Sequence, residues 1–250
     1  MRRAQRLDSI LAELASNGSV SVRELTRTLG ASPATVRRDL HLLEKQKLLS
    51  RSHGGAVGNG VLYELPVRYR GGRHAEEKGR IADAAVERIG DAQTVGLTGG
   101  TTTTEVARRL RERSLTVVTN AVNIASELVI SETIRLVVTG GVARAQSYEL
   151  IGPLAERTLE GLNVDVMFLG VDGVGPAGVS THDEVEAQTN RKMVERAMRV
   201  IVVCDSSKIG SSALSSICSL SEIDELITDV DAPAEQLEAL RSAGVEVVQV

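Results

Sequence analysis

The stretch "GLTGGTTTTEVA", residues 96–107, sets two adjacent glycines and a run of threonines between a β-prone lead and an apolar helical stripe. A strand-to-helix turn of this kind leaves unpaired backbone N–H groups converging at a helix N-terminus, where the helix dipole also favours negative charge. That is a site of phosphate size and sign. Gly99 and Gly100 permit close backbone approach, and the hydroxyls of Thr101, Thr102 and Thr103 each have a further hydrogen bond to give. No lysine stands where a Walker loop needs one, which argues against nucleoside triphosphate hydrolysis. The competing use of these residues is a tight turn capped by a threonine.

Other polar groups follow apolar runs at regular intervals. Asn120 comes after "VVT", Gly140 and Gly141 after "LVVT", Asp172 and Gly173 after "FLGV", and Asp205-Ser206-Ser207-Lys208 after "VVC". In open α/β sheets ligands bind beyond the carboxyl ends of the strands, so these groups and the threonine loop are expected to line one crevice. There Lys208 would neutralise a phosphate, while Asn120, Asp172 and Glu186 would hydrogen-bond sugar hydroxyls. Turn residues and solvated carboxylates are the alternative account of each.

The elements that must hold these groups alternate from Glu76 onward. An amphipathic helix through Ile81, Ala85, Val86 and Ile89 precedes the loop, and the runs "LTVVT", "IRLVVTGG", "VDVMFLGVDG", "VIVVCDSS", "ELIT" and "VEVVQV" follow it. The interior runs are apolar almost throughout, as in a parallel sheet covered on both faces. An α/β sandwich with one core is predicted for residues 76–250. Residues 58–75, glycine-rich and interrupted by Pro66, read as a linker.

Residues 1–57 have another character. They hold ten Lys/Arg against five Asp/Glu, leaving nineteen against twenty-eight in the rest, so a formal net charge of −4 conceals a basic head on an acidic body. Leu7, Ile10, Leu11 and Leu14 mark one face of a first helix. Ser21 caps a second, with Glu24 completing a capping box, and Gly30 ends it. Ser32 caps a third, with Pro33 at its first position and Val36, Leu40 and Leu43 as its buried stripe. The last two form a helix-turn-helix, whose second helix enters the major groove of double-stranded DNA. Ser32, Pro33, Ala34, Thr35, Arg37 and Arg38 face the DNA at its start, with Ser21 and Arg23 on the preceding helix. Arg38 is placed to reach guanine and Thr35 a thymine methyl or phosphate. Asp39 is expected to ion-pair with a neighbouring arginine or to lie away from the phosphates. "LLSRSHGGAV" reads as a wing carrying Arg51 and His53.

Composition narrows the classes further. Tryptophan is absent and aromatic residues make up 2%, which argues against single-strand recognition by base stacking. Cys204 and Cys218 are too few for a disulfide framework or metal cage, and neither a metal nor a cofactor is expected. With no run of 18 apolar residues and no secretory signal pattern at the start, a soluble cytoplasmic protein is expected.

"SPATVRRDLHLLEKQKLLSRSHGGA" resembles the signature of the DeoR-type family of bacterial transcriptional regulators. The match runs through Ser32, Thr35, Val36, Arg37, Arg38, Asp39, Leu40, Leu43, Glu44, Arg51, His53, Gly54, Gly55 and Ala56. Lys47 departs from it, standing where the family has the glycine that ends the recognition helix. "GGTTTTEVA", "VVTNAVNIA", "VTGGVAR", "IGPLAE", "DVMFLGVDGV", "VCDSSKIG" and, through Thr181, Asp183, Glu186 and Ala187, "STHDEVEA" resemble the family's sensor domain. The resemblance implies a winged helix-turn-helix followed by a sensor domain similar to ribose-phosphate isomerases and glucosamine-phosphate deaminases. It implies a phosphorylated sugar as effector and a homodimer or homotetramer. Thr98 replaces an Asp found in many members, which bears on the identity of the sugar. A sugar-phosphate isomerase or deaminase with a fused DNA-binding head is the alternative, but "GVDGVG" lacks the second Asp and the Glu of the isomerase motif Asp-Gly-Ala-Asp-Glu. A non-enzymatic regulator is therefore expected.

Overall fold

The computed structural model describes residues 3–46, 48–58, 66–90 and 93–250. Lys47 and most of the first half of the expected linker lie outside these. The chain divides into two compact units, the first ending at Arg73 and the second starting at His74.

In the first unit α1 (Arg3–Asn17) leads through β1 (Ser19–Ser21) to α2 (Val22–Leu29) and α3 (Pro33–Lys45), and β2 (Ser50–Ser52) and β3 (Gly55–Val57) complete a sheet of order β1-β3-β2. The apolar stripes meet as their spacing requires: Leu7, Ile10, Leu11, Leu14, Leu25, Val36, Leu40 and Leu43 are buried together. Ser21 accepts the Glu24 N–H at 3.1 Å, and its hydroxyl donates to the Glu24 carboxylate at 2.7 Å. Ser32 accepts the Thr35 N–H at 3.2 Å, and Gly30, at φ +59°, ends α2 in the left-handed conformation.

The expected linker over 58–75 is corrected at its far end. Val67–Tyr69 form a 3₁₀ turn whose Val67 and Tyr69 are buried, Tyr69 within the helical core and hydrogen-bonded through its hydroxyl to the Gln46 side chain. Three residues are too short to show a period, so only the burial of two apolar side chains reveals this packing.

The second unit runs α4 (Ala75–Val86), β4 (Thr94–Leu97), α5 (Thr101–Leu110), β5 (Leu115–Thr119), α6 (Val122–Leu128), β6 (Ile134–Val138), β7 (Val142–Ala143), β8 (Leu150–Ile151), α7 (Pro153–Glu160), β9 (Val164–Leu169), β10 (Gly173–Gly175), β11 (Gly178–Thr181), α8 (Glu184–Glu195), β12 (Ala197–Val203), β13 (Ser215–Cys218), β14 (Glu225–Thr228), α9 (Ala234–Ser242) and β15 (Glu246–Gln249). Seven of these strands form a parallel sheet of order β15-β14-β12-β9-β4-β5-β6. It is apolar on both faces: along β12, Val200 and Val202 join one buried cluster while Ile201 and Val203 join the other. Helices α4, α5 and α6 supply side chains to the second cluster, and α7, α8 and α9 to the first. The single core expected is thus two layers separated by the sheet. The antiparallel pairs β7-β8 and β10-β11-β13 were not anticipated. No helix of the described residues is long and apolar enough to cross a membrane.

Strand order decides where a ligand site belongs. From β4 the chain moves to β5 and β6 on one side and later to β9, β12, β14 and β15 on the other, so the order reverses between β4 and β9. The carboxyl ends of these two strands are therefore the switch point of the sheet, the place where open α/β sheets bind ligands.

Candidate functional site

At the switch point stands the loop that follows β4. Gly100 stands at the N-cap of α5 with φ +131° and ψ 163°, a conformation suited to glycine, and no side chain caps the first turn. The amides at the start of α5 are therefore not claimed by the threonine cap considered above. The threonine hydroxyls are spent differently from expectation: Thr103 and Thr104 both donate to the Gly100 carbonyl, at 3.1 and 2.6 Å. Thr101 is half-buried and Thr102 buried. Thr98 bridges the two sides of the switch point, its Oγ1 accepting the Gly170 N–H at 2.9 Å.

Two polar chains meet above this loop. In one, Gly99 N–H donates to Glu149 Oε1 at 2.6 Å, Asn190 Nδ2 lies 3.3 Å from Glu149 Oε2, and Asn120 Nδ2 donates to Asn190 Oδ1 at 3.0 Å. In the other, the Thr181 hydroxyl lies between Glu186 and Asp172, 3.0 Å from the latter's Oδ2, and Arg144 binds Glu186 and Asp183, each at 3.1 Å. Lys208, in a 3₁₀ turn after β12, has its Nζ 3.9 Å from Asp172 Oδ1. The parallel strands β4, β5, β9 and β12 deliver Gly99, Asn120, Asp172 and Lys208 from their carboxyl ends, while Arg144 and Glu149 come from the β7-β8 segment, Thr181 from β11, and Asp183, Glu186 and Asn190 from the N-cap and body of α8.

Glu149 is a fully buried carboxyl among acidic neighbours. Burial pushes its carboxyl well above the ordinary carboxylate range, and the charges of Glu186 and Asp172 push it further, against the Gly99 amide and the Asn190 side chain, which favour the ionised form. Asp205, anchored 3.9 Å from the buried Lys78 of α4, behaves oppositely. Its burial would raise it, but the Ser207 hydroxyl and Lys78 together hold it below the usual range.

Of the residues singled out from sequence, Gly99, Gly100, Asn120, Asp172, Glu186 and Lys208 all belong to this network or its loop. Gly141 and Gly173 have packing reasons: a Cβ would come within 2.8 Å of the Ile151 carbonyl at the first and 2.6 Å of the Ser211 carbonyl at the second. Glu149, Asn190 and Arg144 were missed. Asn190 had a signal, since it lies one helical turn from Glu186 on the buried face of α8. Glu149 had none, being one carboxylate in the short segment "SYELIG".

On the first unit, Ser32, Pro33, Ala34, Arg37 and Arg38 are exposed at the start of α3, Thr35 is half-buried, and Arg23, Arg51 and His53 are exposed on α2 and the wing. Ser21 and Ser32 act as caps, and Thr35 shares a 2.9 Å hydrogen bond with Ser32, so these hydroxyls have structural work already. Asp39 is buried and paired with Arg6 at 2.5 Å and Arg3 at 3.7 Å, which removes its charge from the arginine face. Arg51 N–H donates to Glu44 at 3.3 Å, tying the wing to α3.

Known proteins share both halves of this arrangement. Residues 6–60 match the DeoR-like helix-turn-helix domain and residues 73–230 the DeoR C terminal sensor domain. A protein of Escherichia coli O157:H7 named for repression of the aga operon is 41% identical over 99% of this chain and 94% of its own length. The HTH-type transcriptional regulator GlpR of Haloferax volcanii is 40% identical over 98% of this chain and 97% of its own. The glycerol-3-phosphate regulon repressor of Escherichia coli K12 is 33% identical, with 96% of each chain covered. Among solved structures, ribose 5-phosphate isomerase A of Methanocaldococcus jannaschii is 19% identical with a TM-score of 0.39, covering 54% of this chain and 55% of that one.

Proposed function

The chain belongs to the DeoR family of transcriptional regulators, and on that premise we propose that its first unit binds operator DNA while the crevice of its second unit binds a phosphorylated sugar that sets the operator affinity. It is a DNA-binding transcriptional regulator, not an enzyme, its relatives along nearly the full length being regulators. The alternative of an isomerase or deaminase with a fused head is set aside. The observation that carries the proposal is the Gly99–Thr101 turn, with no side-chain cap on the first turn of α5 and the Gly99 N–H held by the Glu149 carboxylate, at the switch point of a parallel sheet beside Asn120, Asp172 and Lys208.

In the proposed role Arg38 and Arg37 read bases, Thr35 and Ser32 meet base or phosphate, and Arg23, Arg51 and His53 hold the backbone. Repression of sugar-metabolism genes is the reading supported by the names of the relatives. A single winged helix buries too little surface for tight specific binding, so a homodimer or homotetramer on symmetric half-sites is proposed. The test is operator selection from a random duplex pool, followed by anisotropy titration with and without phosphorylated sugars. Binding that is specific and altered by at least one sugar phosphate is expected. Specific binding unmoved by any, or turnover of ribose 5-phosphate by NMR, overturns it.

A further inference from the structure

Glu149 already occupies the loop that the effector is proposed to use. Its Oε1 accepts the Gly99 N–H at 2.6 Å, and a Cβ at residue 99 would lie only 2.5 Å from Glu149 Cγ, so residue 99 must be glycine for this carboxylate to sit there. The side chain is fully enclosed, and among the described residues it has no cationic partner within ion-pair distance. Beside it the network is incomplete. Asn120, completely buried, spends its amide hydrogens on Asn190 and leaves Oδ1 without a hydrogen-bond partner. A buried acceptor without a donor calls for one from outside the protein, and a sugar hydroxyl supplies it.

Resting on the function proposed above, we propose that Glu149 is the resident anion of the Gly99–Gly100 loop, a built-in competitor whose carboxylate holds the amide until the effector's anionic group takes it. An ionised carboxylate and an incoming phosphate cannot share one amide cluster without strong repulsion in an enclosed site. The carboxylate therefore takes a proton from solvent as the anion enters. No other bond is made or broken, and the neutral acid offers the anion an O–H donor in place of a charge.

The charged groups facing Glu149 agree with this. Burial first, then Glu186 from α8 and Asp172 beyond β9, disfavours its ionised form. The nearest cations are committed elsewhere, Arg144 to Glu186 and Asp183 and Lys208 to Asp172. His182, between Thr181 and Asp183, has its Nδ1 buried without a hydrogen-bond partner.

The test titrates the full chain with sulfate at constant ionic strength, because sulfate, unlike a phosphoester, keeps its charge between about pH 5 and pH 8. Wild type is expected to lose about tenfold or more in sulfate affinity across that range, while Glu149→Gln binds with a nearly flat profile and more tightly at the upper end. A Gly100→Val control that loses sulfate binding ties the signal to the loop. Equal affinities and equal pH profiles in wild type and Glu149→Gln overturn the competition while leaving the loop as the anion site, and assign any slope to a group other than Glu149. No sulfate binding by either chain overturns the competition and the anion-loop reading together. Should the Gln variant not fold, a flat profile in wild type alone overturns the proposal.

Discussion

Arg6 of α1 and Asp39 of the recognition helix are joined by an ion pair, Nε to Oδ2 at 2.5 Å, with side-chain exposures of 14% and 3%. The pair fastens α1 to α3 through a carboxylate that is buried while Arg37 and Arg38 on the same helix are exposed. Arg6→Ala leaves the Asp39 carboxylate buried with only Arg3 at 3.7 Å to answer it, and is expected to cost about 2–3 kcal/mol. Asp39→Asn, which keeps a hydrogen-bond acceptor, should cost less. Urea unfolding followed by far-ultraviolet circular dichroism checks the order; an unchanged midpoint for Arg6→Ala would refute it.

Arg38 and Arg51 are both exposed, on α3 and β2 respectively. Arg38→Ala should lose roughly 1–3 kcal/mol of operator affinity and relax base preference at one position, since it removes a base-edge donor. Arg51→Ala should weaken all sequences alike and reduce the salt slope by about one. Anisotropy titrations on selected and scrambled duplexes separate the two, and equal specificity loss in both variants would contradict the division.

Gly100 adopts φ +131°, where a β-branched residue is strained, and a Cβ there would meet Thr103 Oγ1 at 3.2 Å. Gly100→Val is expected to distort the first turn of α5 at a cost of roughly 1–3 kcal/mol and to abolish the response to sugar phosphate. Effector-free DNA binding should persist, because the change lies in the second unit. Retained effector response, measured by the ligand-induced shift in melting temperature, would remove the loop from the site.

Glu149 also makes stability depend on pH. Its carboxyl is raised in the folded chain by burial first and then by Glu186, so the folded state prefers it protonated. The associated stability is fully present below the ordinary carboxylate value of about 4.3 and is lost as pH rises through the raised folded value. Glu149→Gln should therefore melt higher than wild type at alkaline pH, with the gain shrinking towards acid. Melting curves across the range test this, and a gain independent of pH would locate the cost in packing instead.

Much of this architecture could be read from periodicity. The three helices of the head and the seven parallel strands are each marked by apolar spacing or by a continuous apolar run, and the strand-end rule gathers Gly99, Asn120, Asp172 and Lys208 from the sequence. What stayed hidden lies where contacts span long sequence separations. Glu149 reaches Gly99 across 50 residues and Asn120 reaches Asn190 across 70, and no local pattern encodes such pairs. Tyr69 escaped for another reason: a lone aromatic after a proline carries no period, yet it completes the core of the head. The hydroxyls of Thr103 and Thr104 illustrate a third limit, since chemistry that suits a ligand also suits the backbone carbonyl of Gly100.

The central position of β4 sets the order in which the chain acquires structure during synthesis. Its partner β9 pairs with it through Val95 and Val166, 71 residues later, so one side of β4 stays open while that segment is made, for roughly 4–14 s at ordinary translation speeds. The head needs nothing beyond Tyr69 and closes early. A nascent chain thus carries a finished DNA-binding unit in front of an apolar strand with an unpaired edge, the arrangement most prone to misassociation. A ribosome stalled before residue 164 would hold a folded head on an open sheet whose switch point lacks one of its two strands.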